Sequence, residues 1–396
     1  MKRDVIVVGA GPVGSYLSLR IVERGYRVLL LEKKGETGRH ICAGVIGAEA
    51  FRRFPLPKES ISKEVKSVAL ISPSGNRLRH TTEEPMAYVV DRVAFDQALL
   101  ERALEAGVEF KNFCQVMEIR REPGGIKVTC RYVNDEKGGL ETFRAFLVVL
   151  AAGYNPGLLA SSGLSEYPGA VAGIQTVNVM REVEEIEVYF GKKIAPGGFA
   201  WLVPMGEGQV RVGLVVDNEA KGWLDRFLSS SPVLSRTVEN HSPVRHTLIP
   251  RGPIPKTYKD GLLVVGEAAG QVKSTTYGGV YYGLICAAHA AETVEDAFRQ
   301  GEFGEDVFSR YEEGWQGEIG KEIDLGARLR ERVKWMEDGE MDNLFMLLGG
   351  NGMLSRLRAA VRFDWHRDLI GLTLRHGLLS FSPFKTEISI DKGTVE

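Results

Sequence analysis

The chain has 396 residues, of which 44% are hydrophobic and 26% charged, and its formal net charge is −2. This composition is that of an ordinary globular protein with room for two or three domains. The near-neutral charge and the lack of a long basic run argue against nucleic acid as a partner, and no apolar run approaches the ~20 residues of a membrane span.

The cysteines show no spacing typical of a metal site or a redox pair; they are Cys42, Cys114, Cys130 and Cys286. We therefore expect a cytoplasmic protein without structural disulfides and without a metal.

The first thirty-two residues contain a complete dinucleotide-binding pattern. An apolar run at 5–8 predicts a buried strand, and Gly9, Gly11 and Gly14 follow at GxGxxG spacing before a helix. Glu32 ends the next predicted strand, where an acidic side chain can accept a hydrogen bond from a ribose hydroxyl. The helix N-terminus offers free N–H groups to a pyrophosphate. An acidic residue at position 32 favours an adenosine ribose without a 2′-phosphate, and it does not distinguish NAD from FAD as the ligand.

The elements that follow alternate between strand and helix patterns. We predict a hairpin over 65–81, an amphipathic helix from 92 that ends at Gly107, and a three-stranded antiparallel unit at 114–121, 126–133 and 140–150. Further strands are predicted at 170–180, 184–191, 198–204 and 209–216, with a helix at 219–229. An extended linker at 251–255 precedes a strand at 260–266 and a long helix at 278–298. The remainder is predicted to be mostly helical.

Glycine-rich turns recur after three of the predicted buried strands, in segments 9–14, 150–153 and 266–270. Three further stretches are distinctive: Cys42, Asp91-Arg92 followed by Phe95-Asp96, and Phe199-Ala-Trp201-Leu-Val-Pro204. Residues 1 to about 300 together resemble the geranylgeranyl reductase family of FAD-dependent oxidoreductases, which are two-domain flavoproteins of the p-hydroxybenzoate hydroxylase type.

The resemblance implies an α/β fold in which a Rossmann-like FAD-binding domain carries an inserted α+β substrate domain with an antiparallel sheet. The FAD-binding domain would comprise 1–62, 88–160 and 250–300, the substrate domain 63–87 and 161–249, and a helical C-terminal region 301–396. With the motif glycines, the implied contacts to FAD are Gly9, Gly11, Val13, Gly14, Glu32, Cys42, Ala43, Val45, Arg92, Val116, Glu267, Gly279 and Val280.

Some residues depart from the family pattern. Glu267 stands where the family usually has Asp, and Tyr277 stands where it has glycine. The acidic residue that usually precedes the glycine of the middle segment is absent, because Ala151 and Ala152 precede Gly153. We expect a divergent member, with the Tyr277 phenol close to the flavin.

Several residues have a structural as well as a functional interpretation. Cys42 can lie beside the flavin and act chemically, or it can be a small buried side chain. Phe199, Trp201, Pro204 and Tyr277 can form the substrate pocket, although Trp201 can equally be core. Tyr281 and Tyr282 can line that pocket or pack their helix. We assign no catalytic role to His40, His241 or His246. The tail at 369–381 can contact a membrane surface or pack against the core.

The predicted function is FAD-dependent saturation of carbon–carbon double bonds in a polyprenyl (geranylgeranyl) group on a lipid or prenyl diphosphate. We expect hydride transfer from flavin N5 to an alkene that gains carbocation character by protonation. The electron donor would be NAD(P)H or a ferredoxin-like protein, and the enzyme would be cytoplasmic with peripheral contact to a membrane. The alternatives are a flavin monooxygenase of the same fold and a non-catalytic flavin electron carrier.

Overall fold

The structure, a computed structural model, describes residues 3–35, 41–134, 139–240, 242–350 and 361–375. It confirms the predicted mixed α/β fold, with a Rossmann-like sheet, a second and largely antiparallel sheet, and a helical C-terminal region. The strands are β1 (Arg3–Val8), β2 (Val28–Leu31), β3 (Val45–Gly47), β4 (Ile61–Val65), β5 (Ser67–Ile71), β6 (Arg77–Thr81), β7 (Ala87–Val90), β8 (Glu109–Lys111), β9 (Cys114–Glu122), β10 (Gly125–Tyr132), β11 (Leu140–Leu150), β12 (Ala170–Met180), β13 (Ile186–Tyr189), β14 (Phe199–Gly206), β15 (Gln209–Val216), β16 (Thr237–Asn240), β17 (Arg245–Pro250), β18 (Tyr258–Lys259) and β19 (Leu262–Val264).

The helices alternate with these strands in the first three hundred residues, and the elements described after residue 300 are all helical. The helices are α1 (Pro12–Val22), α2 (Ala48–Arg53), α3 (Arg92–Glu105), α4 (Pro156–Ser161), α5 (Ala220–Leu228), α6 (Ser231–Leu234), α7 (Val280–Gln300), α8 (Glu305–Trp315), α9 (Lys321–Trp335), α10 (Asp338–Gly349) and α11 (Arg367–Arg375). Short 3₁₀ turns cover Lys58–Ser60 and Gly266–Ala269, and a π-helical turn at Gln316–Gly320 joins α8 to α9.

The first sheet has the strand order β18-β19-β11-β1-β2-β8. β1 pairs in parallel with β2 and β11, and β11 pairs in parallel with β19, so their carboxyl ends share one edge. α1 and α7 cover one face, while β9 and β10 fold over the other. Residues 5–8 of β1 and all of β2 are apolar and buried, as expected for strands that are covered on both faces.

The second sheet has the strand order β16-β12-β15-β14-β13-β5-β6, and β17 also pairs with β12. All its pairs are antiparallel except β5 with β13. Side chains of β14 alternate between two cores: Ala200 and Leu202 face the core that includes α5, whereas Phe199 and Trp201 face the other side. A third and smaller sheet has the strand order β3-β7-β4.

Most predicted elements agree with the structure. β12 and β15 have the predicted bounds, and the antiparallel unit of β9, β10 and β11 is confirmed. β16 and β17 were not predicted, because their residues are mostly exposed and lack an apolar pattern. Across the described ranges, no helix has the length and apolar character needed to cross a bilayer.

Candidate active site

The turn after β1 has the geometry of a phosphate-binding loop. Gly9 has φ +104°, a left-handed conformation that glycine adopts without strain. A side chain on Gly14 would overlap the Gly9 carbonyl, whereas a Cβ on Gly11 would meet nothing within 4 Å. No side chain caps α1. Its first-turn N–H groups therefore face open space where an anion can approach.

Glu32 is fixed in place at the end of β2. One carboxylate oxygen accepts a hydrogen bond from Ala10 N (2.9 Å), and the other accepts from Lys34 N (2.9 Å). The side chain is buried, yet each oxygen retains a lone pair. The carboxylate is thus oriented beside the glycine turn before any ribose binds.

The three glycine segments meet at the carboxyl edge of the first sheet. A Cβ on Gly9 would lie 2.5 Å from the Ala151 carbonyl oxygen, and a Cβ on Gly266 would lie 3.1 Å from Val13. The Glu267 carboxylate lies between Gly153 and the start of α7, 3.8 and 4.0 Å from the Cβ positions of Gly153 and Gly279. This convergence places an acidic side chain at the centre of the predicted cofactor site.

Glu267 has few partners for a carboxylate in this position. Its Oε1 accepts one weak hydrogen bond from Tyr154 N (3.3 Å). Desolvation raises the pKa of Glu267, and the Tyr154 N–H and the charge of Arg92 oppose this only in part. Glu267 therefore keeps free hydrogen-bonding capacity beside the N-terminus of α7.

The loop that carries Cys42 is held by the second sheet. Cys42 Sγ accepts from Gly44 N (3.3 Å), while its carbonyl accepts from Gln175 Nε2 (3.2 Å). The neighbouring Ala43 carbonyl accepts from Arg211 Nη1 (2.8 Å). Side chains of β12 and β15 thus fix the backbone around Cys42.

Gln175 and Arg211 were missed by the sequence analysis. The available signal for Arg211 was a single charged residue inside the apolar strand Gln-Val-Arg-Val-Gly-Leu-Val-Val. Arg211 is buried, and no carboxylate in the described part of the chain forms an ion pair with it. Desolvation lowers the pKa of Arg211. Its charge is therefore available to an anionic group in the site.

Arg92 is in a different situation. It forms three hydrogen bonds with the fully buried Asp96, at 2.9 to 3.1 Å. Burial opposes the charge of Arg92, but its interactions with Asp96 and with Cys42 together outweigh burial and raise the pKa of Arg92. The expected contact between Arg92 and a pyrophosphate stays a prediction, and its charge is already offset within the protein.

The predicted substrate pocket is brought together only in part. Phe199, Trp201 and Tyr277 belong to one apolar cluster that also contains Ala43 and Val45. The rings of Phe199 and Trp201 lie 5.9 Å apart. The Trp201 indole crosses Gly213, where any side chain would overlap it. Its Nε1 has no hydrogen-bond partner among the described residues.

Two predicted pocket residues have unusual backbone settings. The register of β14 against β15 shifts directly after Pro204, so regular alternation with Phe199 and Trp201 ends there, and the place of Pro204 in the pocket stays a prediction. Tyr277 has φ +58°, a conformation costly for a non-glycine residue. The glycine of the family pattern would adopt it freely.

The remaining candidates are located as follows. Val116 packs in the core under the first sheet, and Val280 begins α7 and packs against the core on the other face. The Tyr281 hydroxyl donates a hydrogen bond to the Glu49 carboxylate, and the Tyr282 hydroxyl donates one to the Asp364 carbonyl. Both hydroxyls therefore have partners within the protein. His246 is exposed on β17.

Parts of the sequence predictions fall beyond these residues. His40, His241 and the tail after residue 375 lie outside the described residues. Within the described ranges, no group of three His, Cys, Asp or Glu side chains could hold a metal ion.

Comparison with known proteins identifies the family. A family model described as FAD dependent oxidoreductase matches residues 43–296. The chain is 32% identical to the digeranylgeranylglycerophospholipid reductase of Methanocaldococcus jannaschii, over 87% of this chain and 90% of that protein. Digeranylgeranylglycerophospholipid reductase 2 of Methanothermobacter thermautotrophicus is also 32% identical, over 90% and 94%. The chain belongs to the geranylgeranyl reductase family of FAD-dependent oxidoreductases.

The fold agrees with that of a solved geranylgeranyl bacteriochlorophyll reductase-like protein of Thermoplasma acidophilum. The TM-score is 0.83 at 21% identity, covering 96% of this chain and 99% of that one. As a member of the geranylgeranyl reductase family, the chain uses FAD and acts on carbon–carbon double bonds. The open glycine turn, the oriented Glu32 and the uncapped α7 N-terminus fit the pyrophosphate, ribose and flavin of that cofactor.

Proposed function

We propose that this reductase saturates geranylgeranyl chains carried on a glycerophospholipid or on a diphosphate. The observation that carries the proposal is the apolar cluster of Phe199, Trp201 and Tyr277, which continues into Ala43 and Val45 of the Cys42 loop. A polyprenyl chain offers only methyl, methylene and alkene surface, so a wall of this composition suits it. The relatives' names point to the same class of chain.

FAD is proposed to bind along the carboxyl edge of the first sheet. The turn of Gly9, Gly11 and Gly14, with Val13, would hold the pyrophosphate, and Glu32 would accept from the adenosine ribose. The flavin half would be contacted by the residues Cys42, Ala43, Val45, Arg92, Val116, Glu267, Gly279 and Val280. The proposed division into domains follows the sheets, since the glycine segments belong to the first sheet and β12 to β17 belong to the second.

When bound and reduced, FAD would be the source of the hydride that one carbon of the alkene requires. The side chains of the apolar cluster would orient the alkene and exclude water, because a chain that slides loses its alignment with the flavin. Arg211 and Gln175 would hold the Cys42 backbone in position. The second alkene carbon needs a proton, and Cys42 Sγ, held by Gly44 N at the edge of the cluster, is the group we propose to supply it or to orient its donor.

The electron donor and the membrane contact are also proposals. The electrons would come from NAD(P)H or a ferredoxin-like protein that visits the flavin transiently. A lipid substrate requires the enzyme to reach a membrane surface, so we propose peripheral contact.

Mass spectrometry tests the function directly. Dithionite-reduced enzyme is incubated with geranylgeranyl lipid or diphosphate, and products are scored for gains of two hydrogens. Cys42→Ser serves as the chemical variant, with Cys286→Ser, a fully buried cysteine on α7, as the control for thiol replacement. Products that gain oxygen, with dioxygen consumed on substrate addition, would indicate a monooxygenase. Flavin that cycles electrons without any altered lipid would indicate an electron carrier.

A further inference from the structure

Arg330 on α9 extends from the C-terminal region to the aromatic rings of Phe199 and Tyr277. Its guanidinium carbon lies 5.6 Å from the ring centroids of both Phe199 and Tyr277. Its Nη2 donates to the Gly197 carbonyl. Within the part of the chain that the structure describes, Arg330 has no carboxylate partner, and its buried Nε has no acceptor.

A cation is an unexpected group beside a pocket for a hydrocarbon chain. Two aromatic rings stabilise it through cation–π interactions, and both are residues of the proposed pocket. They offer no hydrogen-bond acceptor to the guanidinium edge. An arginine edge with a free N–H matches the oxygens of a phosphate group, because the planar fork donates two parallel hydrogen bonds. The unpaired Nε therefore indicates an anionic ligand.

A cavity next to Arg330 has room for such a group. It is open to solvent, has a volume of about 290 Å³, and is lined by Gly197, Lys192, Lys334 and Asp217 among others. Gly197 links the two features, because its carbonyl accepts from Arg330. Lys334 lies one helical turn after Arg330 and so shares its face of α9.

The charges around this cavity leave Arg330 unbalanced. Lys334 pairs with Asp217 at 3.0 Å, and Arg251 pairs with the same carboxylate at 2.6 Å. Lys192 pairs with Glu337. Glu219 is a further carboxylate of the lining. Both lysines of the lining thus have a carboxylate partner, whereas Arg330 has none among the described residues.

We infer that Arg330 recognises a phosphate on the prenyl substrate, with the phosphate at the cavity mouth and the chain passing Phe199 and Tyr277 toward Trp201. This inference rests on the proposed function, because it assumes a prenyl chain in the apolar cluster. The phosphate can belong to a glycerophospholipid headgroup or to a prenyl diphosphate. Arg330 would set which substrates enter, without taking part in hydride transfer.

Steady-state kinetics with three substrates test the inference. Wild type, Arg330→Gln and Arg330→Lys are compared on a geranylgeranyl glycerophospholipid in micelles, on geranylgeranyl diphosphate and on geranylgeraniol, which has no phosphate. Arg330→Gln should raise KM for the phosphate-bearing substrates about 10- to 100-fold, the range for hydrogen bonds to charged groups. KM for geranylgeraniol and every kcat should change less than about twofold. Arg330→Lys, which keeps the charge without the fork, should be intermediate.

Arg328→Gln is the matched control, because Arg328 is an exposed arginine two residues earlier on α9. It should behave as wild type. If Arg330→Gln raises KM only for the glycerophospholipid, the site binds the lipid headgroup. If it raises KM only for geranylgeranyl diphosphate, the site binds the diphosphate. Two results for Arg330→Gln would overturn the inference: an equal change in KM for all three substrates, or a normal KM with a lowered melting temperature. Either result would show that Arg330 only stabilises the fold.

Calorimetry with inorganic diphosphate separates this inference from the proposed function. If wild type reduces none of the three substrates, the proposed function fails. Diphosphate binding to wild type and Arg328→Gln, but not to Arg330→Gln, would still support the phosphate site. Absence of that difference would overturn it.

Discussion

Lys273 and Asp364 form a buried ion pair, with Nζ 2.7 Å from Oδ1 and side-chain exposures of 8% and 2%. Lys273 belongs to the loop before α7, where its carbonyl accepts from Tyr277 N (2.7 Å) and its N–H donates to the Gly278 carbonyl (3.1 Å). Asp364 belongs to the segment that leads into α11. The pair therefore connects the C-terminal segment to the loop that presents Tyr277 and Gly279.

Breaking this pair should release the C-terminal segment. Asp364→Asn leaves the Lys273 ammonium buried without a counter-ion, which costs about 3–5 kcal/mol. We expect faster hydrogen exchange and faster proteolysis in 361–375. Gly47→Ala should act in the same direction, because a methyl group there would overlap Asp364 Oδ2.

Asp368→Asn is the control, since Asp368 is exposed in the same segment. The double variant Lys273→Met with Asp364→Leu should recover most of the protection, because apolar replacement of a buried pair is often neutral. Unchanged exchange in Asp364→Asn would mean that the segment is held by other contacts.

Glu32→Ala should weaken FAD binding. The carboxylate would lose charge-assisted hydrogen bonds to the ribose, worth about 1.5–3 kcal/mol, and its orienting bonds to Ala10 N and Lys34 N would also be lost. Fluorescence titration of the apoprotein with FAD measures the dissociation constant. Glu109→Ala removes an exposed carboxylate from the adjacent strand β8 and should bind FAD normally. An unaltered constant in Glu32→Ala would refute the ribose contact.

Trp201→Ala should alter substrate selection while FAD stays bound. The indole lies in the second sheet over Gly213, and its removal opens space beside Phe199, so geranylgeranyl and farnesyl substrates should be discriminated less well. Reduction rates for the two chains and the melting temperature are measured on the same preparation.

Phe227→Ala provides the comparison for Trp201→Ala, because Phe227 is fully packed on the other face of the same sheet. A core change of that kind costs about 3–5 kcal/mol and should leave chain preference intact. If Trp201→Ala lowers the melting temperature and leaves chain preference intact, as expected for Phe227→Ala, the indole has a structural role only.

Acid should undock the C-terminal segment through His366. Its Nδ1 lies 2.6 Å from Thr275 Oγ1, and Nε2 lies 3.1 Å from the Phe363 carbonyl. Burial, with the nearby Lys273 charge, lowers the pKa of His366 to about 4. The undocked imidazole has an ordinary pKa of about 6.5, so undocking takes up a proton between these values.

The free energy that docks the C-terminal segment should therefore have its full value above about pH 6.5. It should decrease by about 2 kcal/mol as the pH falls toward 4, a figure that allows for partial exposure of the His366 ring. Burial raises the pKa of Glu322, which accepts from His366 N, and protonation of Glu322 offsets part of the loss. Proteolysis of the segment from pH 7 to 4.5 measures the effect. His366→Gln should flatten the profile, and a profile as steep as wild type would assign the dependence elsewhere.

The sequence predicted what depends on local pattern. The glycine turn, Glu32 and the buried strands are encoded within short windows, so their predicted bounds agree closely with β1, β12 and β15. Phe199, Trp201 and Pro204 were predicted as pocket residues from a motif that resembles that of the family. Phe199 and Trp201 lie in one apolar cluster of the structure, as alternate residues of one strand can.

Contacts between distant segments could not be predicted in this way. Nothing near Arg211 in the sequence indicates that its guanidinium reaches Ala43, 168 residues away. The pairing of Arg92 with Asp96 was accessible, since residues four apart on a helix are neighbours. The parallel pairing of β5 with β13 and the approach of Arg330 to Tyr277 arise only from the assembled fold.

The Lys273–Asp364 pair joins two segments that are translated at different times. The two residues are 91 positions apart, so at about 5–20 residues per second the ribosome adds Asp364 about 5–20 s after Lys273. Through that interval the first sheet can form while the loop before α7 lacks its counter-ion. The loop that presents Tyr277 and Gly279 therefore gains its counter-ion only after the segment that carries Asp364 has been translated, and we expect this loop to become fixed later than the first sheet.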